Sequence, residues 1–81
     1  MDRHALLTSL DELFELDPGS IREDSVIAEI PGWDSLTFVG LIALVDEEYG
    51  VTLSPSTILG ARCVSELIDH IAGQLATRSA A

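Results

Sequence analysis

The sequence predicts an all-α fold: a small four-helix bundle, three longer helices and one short helix, with a long loop between the first and second. Three observations carry this. Apolar residues recur every third or fourth position in three separate stretches, the period of a helix buried along one side. Those stretches are punctuated by residues that start or stop helices, among them Asp34, Gly50 and the Ser54-Pro55 pair. The 81 residues, 47% hydrophobic and 22% charged, suit one globular domain, because two halves would each be too small to hold a core. A single domain over 1–81 is therefore expected, with its core over about 3–76 and 77–81 as a frayed tail. The short tails favour a free-standing protein over an excised module.

The first helix is expected from Arg3 to Leu16. Leu6, Leu10 and Leu13 form its apolar stripe, widened by Leu7 and Phe14, and Asp11, Glu12 and Glu15 fill the other face. Asp17-Pro18-Gly19 should end it. The connection from Asp17 to Asp34 is long for so small a domain, and loops of this length tend to be functional. Ile21, Val26, Ile27 and Ile30 can pin it to the core, and Pro31-Gly32 turns it toward the next helix. Trp33 suits an anchor that packs the loop end, or alternatively a surface on which a ligand stacks.

The second helix is expected over Ser35 to Tyr49, capped by Asp34 and closed by Gly50. Phe38, Leu41, Ile42, Val45 and Tyr49 make its core face. The opposite face reads Leu36, Val39, Gly40, Ala43, then Asp46 and Glu47. A helix that is apolar on a second face is either fully buried or keeps a docking surface, and the acidic end argues against full burial. Asp46, Glu47 and Glu48 lie where the helix dipole disfavours negative charge, so helix stability does not account for them, whereas a basic partner would. Gly40 costs the helix about 1 kcal/mol relative to alanine, tolerable if another surface approaches closely.

Val51 and Leu53 can pack inward. Ser54-Pro55 opens a short helix that ends near Gly60, with Ile58 and Leu59 as its apolar contacts. The last helix is expected from Val64 to Ala76, striped by Val64, Leu67, Ile68, Ile71 and Leu75, with Glu66 in its first turn.

Fourteen acidic residues against four arginines give a net charge of −10. Such a surface repels phosphate backbones and argues against nucleic acid. It attracts proteins with basic patches, although acidity also serves plain solubility. One cysteine, Cys63, excludes an internal disulfide and a cysteine metal cluster. No basic-then-apolar leader and no run of membrane-spanning length occur, so a cytoplasmic monomer without a membrane role is expected.

Ser35 stands where the second helix begins. A catalytic serine needs a base and a group to orient that base. Nothing in the sequence places His4 or His70 beside Ser35, and the Gly-x-Ser-x-Gly elbow is absent. Calcium-loop and zinc-ligand spacings are absent too. A helix N-terminus does favour a phosphate ester, so a phosphorylated or phosphopantetheinylated serine fits, as does a plain polar first-turn residue.

Asp34-Ser35-Leu36, after a long loop and before an apolar-then-acidic helix, resembles the acyl carrier and peptidyl carrier protein family across nearly the whole chain. The resemblance implies that Ser35 carries 4′-phosphopantetheine, taken from coenzyme A by a separate phosphopantetheinyl transferase that supplies the magnesium and the base. The arm's thiol would hold an acyl or aminoacyl group as a thioester. A loading ligase or transferase would charge it, and downstream synthase or condensing enzymes would receive it. The chain itself would be a carrier and not an enzyme, with Asp34 and Leu36 flanking the cofactor. Leu36, Val39, Asp46 and Glu47 match the family's partner-recognition positions. Thr37, Gly40 and Ala43 replace two acidic residues and a methionine common in fatty-acid carriers. The short helix lacks the usual acidic residues, and Cys63 replaces a Ser or Thr cap. These departures imply a specialised fatty acid, polyketide or peptide pathway. The competing reading is a non-covalent acidic helical adaptor for basic protein partners, in which Ser35 belongs only to the helix cap.

Overall fold

The computed structural model describes residues 2–80, with the backbone alone for 78–80. Its elements are α1 (Arg3–Leu13), a 3-10 turn (Ile27–Glu29), α2 (Ser35–Tyr49), α3 (Pro55–Gly60) and α4 (Val64–Ala80). The all-α bundle with one short helix is the architecture the sequence predicts. None of the helices among the described residues is long and apolar enough to cross a membrane.

The predicted stripes meet in one core. Leu6 and Leu10 of α1, Leu41 and Val45 of α2, Ile58 of α3, and Val64, Leu67, Ile68 and Ile71 of α4 are buried together. Val51 and Leu53 turn inward between α2 and α3, as expected. Phe38, Ile42 and Tyr49 are half-buried along the edge of this cluster.

α1 ends at Leu13, short of the expected Leu16, because a Schellman turn closes it before the proline is reached. The Glu15 N–H donates to Glu12 O at 3.1 Å and the Leu16 N–H to Asp11 O at 2.8 Å, the paired bonds of that motif. Glu15 takes the left-handed conformation (φ 57°) in which glycine is usual.

Asp11 does not sit on the solvent face. It is buried, and its carboxylate accepts the N–H groups of Gly19 (2.9 Å) and Ile21 (2.8 Å) from the connection. A charge is tolerated there because its oxygens are hydrogen-bonded. Ile21, Ile27 and Ile30 then pin the connection to the core, whereas Val26 is 43% exposed. Val26 instead forms a backbone bridge to Cys63.

That bridge changes how α4 begins. The Val64 N–H donates to Ser25 O (2.9 Å) and the Ser65 N–H to Glu23 O (2.8 Å), so loop carbonyls satisfy the helix's first donors. Cys63 is not needed as a side-chain cap. Glu66 reaches back to accept the Arg62 N–H at 2.7 Å, the first-turn role expected of it. Arg3 binds both Glu23 and Asp69, tying α1, the connection and α4 together.

Two further expectations are corrected. Leu59 is 72% exposed, since the two-turn α3 has room to bury only one of its neighbouring apolar residues, Ile58. α4 runs past Ala76 to Ala80, because nothing after Ala76 breaks a helix. The expected tail over 77–80 is thus helical backbone, and Ala81 lies outside the described residues.

Replacing Asp11 with alanine strands two loop N–H groups, one of them buried. Urea denaturation of Asp11→Ala should show a loss of about 2–3 kcal/mol. Glu15→Gly should do the opposite and gain about 1 kcal/mol in the same assay, by relieving the left-handed backbone.

Candidate functional site

The connection delivers Ser35 through an aromatic anchor. Trp33 stacks on Phe14 at the end of α1 (centroids 6.1 Å apart, 27° between planes) and meets Phe38 of α2 edge-on at 5.9 Å. The packing role expected of Trp33 is what its surroundings provide. Gly32 precedes it with φ 89°, a left-handed turn that a side chain would strain.

Asp34 then caps α2. Its carboxylate accepts the Thr37 N–H at 2.9 Å, and the Thr37 hydroxyl accepts the Asp34 N–H at 2.9 Å, a closed capping box. The bond from the Thr37 N–H holds the Asp34 carboxyl below its usual range, so it is ionised at neutral pH. Thr37 thus earns its place through the cap.

Ser35 is the first residue of α2, exposed, and its hydroxyl makes no hydrogen bond among the described residues. Neither His4 on α1 nor His70 on α4 bonds to it, so the constellation of a serine hydrolase is not assembled. No group of three or more potential metal ligands occurs among the described residues. The positive end of the α2 dipole lies at Ser35, favourable for a phosphate ester.

Around Ser35 the outer face of α2 is laid bare. Leu36 is 78% and Val39 61% exposed, values that leave large apolar side chains in water. Ala43, Asp46 and Glu47 are exposed farther along the helix. Glu48 is drawn aside to accept the Ser9 hydroxyl of α1 at 3.3 Å. Leu59, expected as an apolar contact of α3, adds a further exposed apolar residue.

Gly40 stands apart from this set. It is half-buried, and a Cβ built on it would lie 3.0 Å from Leu13 Cδ1. The close approach that explains a mid-helix glycine is made by α1 of the same chain. Gly40 lines a groove of about 510 Å³ between the end of α1 and the start of α2. Leu13, Phe14 and Glu15 form one side, and Asp34, Leu36 and Gly40 the other.

The helical scaffold thus presents an exposed serine hydroxyl at the N-terminus of α2, bonded to neither histidine among the described residues. The family model described as the phosphopantetheine attachment site matches residues 4–71, and the chain belongs to that family. It is a phosphopantetheine carrier protein, a substrate of other enzymes, and its cofactor is covalent 4′-phosphopantetheine. The fold matches the solution structure of a holo acyl carrier protein from Geobacter metallireducens with a TM-score of 0.77. That match covers 96% of this chain and 91% of the other at 23% identity. Among curated protein sequences, none matches.

The cap has a pH signature. Asp34 holds its proton less tightly folded than unfolded, so its contribution to stability is complete above its ordinary value of 3.8 and fades as pH falls through the lower folded value. Thermal melts below pH 3.8 should therefore fall less steeply for Asp34→Asn, which keeps a cap without the charge.

Proposed function

We propose that Ser35 is the attachment point of the phosphopantetheine arm, and that the arm carries an acyl or aminoacyl group as a thioester. The observation that supports this best is the exposed, unbonded Ser35 hydroxyl at the first position of α2, inside the matched segment. In the transfer, Ser35 Oγ would attack the phosphorus nearest the pantetheine of coenzyme A. The new ester bond forms as the bond to adenosine 3′,5′-bisphosphate breaks, and the transferase takes the hydroxyl proton. When bound, the arm supplies a thiol that forms and releases thioesters.

The residues of this chain contribute presentation and recognition. The Asp34–Thr37 box fixes the backbone on either side of Ser35. Leu36 and Val39 offer an apolar contact of the kind that stabilises a docked complex. Asp46 and Glu47 offer charge to steer a basic partner. The partners we assign are a phosphopantetheinyl transferase, a loading ligase or transferase, and downstream synthase or condensing enzymes. Thr37, Gly40 and Ala43 stand where common fatty-acid carriers have two acidic residues and a methionine, and these departures favour a specialised fatty acid, polyketide or peptide pathway in the cytoplasm.

Incubation with a phosphopantetheinyl transferase, coenzyme A and magnesium should add one phosphopantetheine mass, and Ser35→Ala should remove the addition entirely. No mass shift with several transferases would sink the assignment. The adaptor reading predicts instead that partners still bind Ser35→Ala fully and are lost only on charge reversal at Asp46 and Glu47.

A further inference from the structure

We propose that the groove between α1 and α2 is the resting site of the arm, which folds back from Ser35 toward Leu13 and Phe14 instead of hanging in solvent. The proposal rests on Ser35 as the attachment point. Three observations on this chain carry it.

Continuity comes first. Asp34 and Leu36, the residues on either side of Ser35, both line this groove, so a group on the Ser35 oxygen starts at its rim. The groove between the connection's two ends, lined by residues such as Leu16, Val26 and Pro31, includes neither neighbour of Ser35. The groove beside His4 and Arg22 includes neither as well.

The second observation is the missing side chain at Gly40. A Cβ there would press on Leu13 Cδ1 at 3.0 Å, closer than side chains ordinarily approach. Glycine lets Leu13 of α1 close against α2 here and wall the groove, in the middle of a helix where alanine would form the helix better.

The third is chemical match. The pantetheine arm alternates apolar and amide segments, beginning with a dimethyl-substituted carbon near the phosphate. Leu13, Phe14 and Leu36 give the groove apolar walls, and the exposed Glu15 carboxylate at its edge can accept an amide N–H. Glu15 is held at that edge by the left-handed Schellman turn (φ 57°). A mostly apolar channel with polar groups at Glu15, Asp34 and Thr37 suits such an arm, and partners would withdraw it by competing for Leu36.

The test uses the full chain converted to its holo form with isotope-labelled protein and an unlabelled arm. Mass spectrometry first establishes that the arm is on Ser35. Filtered nuclear Overhauser spectra should then show contacts from the arm's methyl groups to Leu13, Phe14 and Leu36. In Gly40→Leu confirmed by mass to be holo, whose side chain presses into the groove against Leu13, the contacts to Leu13 and Phe14 should vanish. A holo wild type with contacts only to α3 residues such as Thr57 and Leu59, or with no contacts at all, overturns the groove and leaves the attachment reading standing. Failure of Ser35 to take the arm overturns both. The wild-type measurement decides the matter even if Gly40→Leu does not fold.

Discussion

The two N–H groups that Asp11 draws out of the connection set the course of everything that follows them. A chain of eighteen or so residues without long helices must place its polar backbone somewhere, and a buried carboxylate is a strong acceptor for it. Once Gly19 and Ile21 are tied to α1, Ile21 enters the core and Val26 beyond it bridges to Cys63 at the start of α4. There Ser25 and Glu23 give their carbonyls to Val64 and Ser65. The loop therefore serves as the N-terminal cap of one helix before it delivers the N-terminal cap of another.

Delivery of Ser35 depends on that economy. Arg3 reinforces it from outside by binding Glu23 and Asp69, and its hydrogen bond holds the Glu23 carboxyl below the usual range. At the far end Trp33 is clamped between Phe14 and Phe38, so the turn into α2 is fixed by ring packing on both sides. A surface held in this way has less freedom to lose when two proteins meet. Of the large apolar residues left in water, Leu36, Val39 and Leu59 lie beyond this clamp on α2 and α3, and Val26 lies before it in the connection.

Charge is distributed with the same division. Acidic groups that touch other elements are engaged, as Asp11, Glu23, Glu48, Glu66 and Asp69 are. Asp46 and Glu47 are exposed on α2, as Val39 and Ala43 are. The net −10 is therefore part structure and part surface, and only the second part is available to a partner.

The sequence by itself determined the helices, their buried stripes and the exposed serine. These follow from local rules: a 3.6-residue period, Asp34 and Ser54 as caps, Gly50 with φ 67° as a stop. The family was legible for the same reason, since Asp34-Ser35-Leu36 and its helical setting are contiguous in the chain. Tertiary structure alone decided where Asp11 points, why Gly40 is glycine, and that Leu59 and Val26 face water. Each of those depends on residues distant in sequence. A helix pattern places Asp11 among polar neighbours, but only the folded loop supplies the donors that bury it, and only the approach of Leu13 reveals the groove beside Gly40.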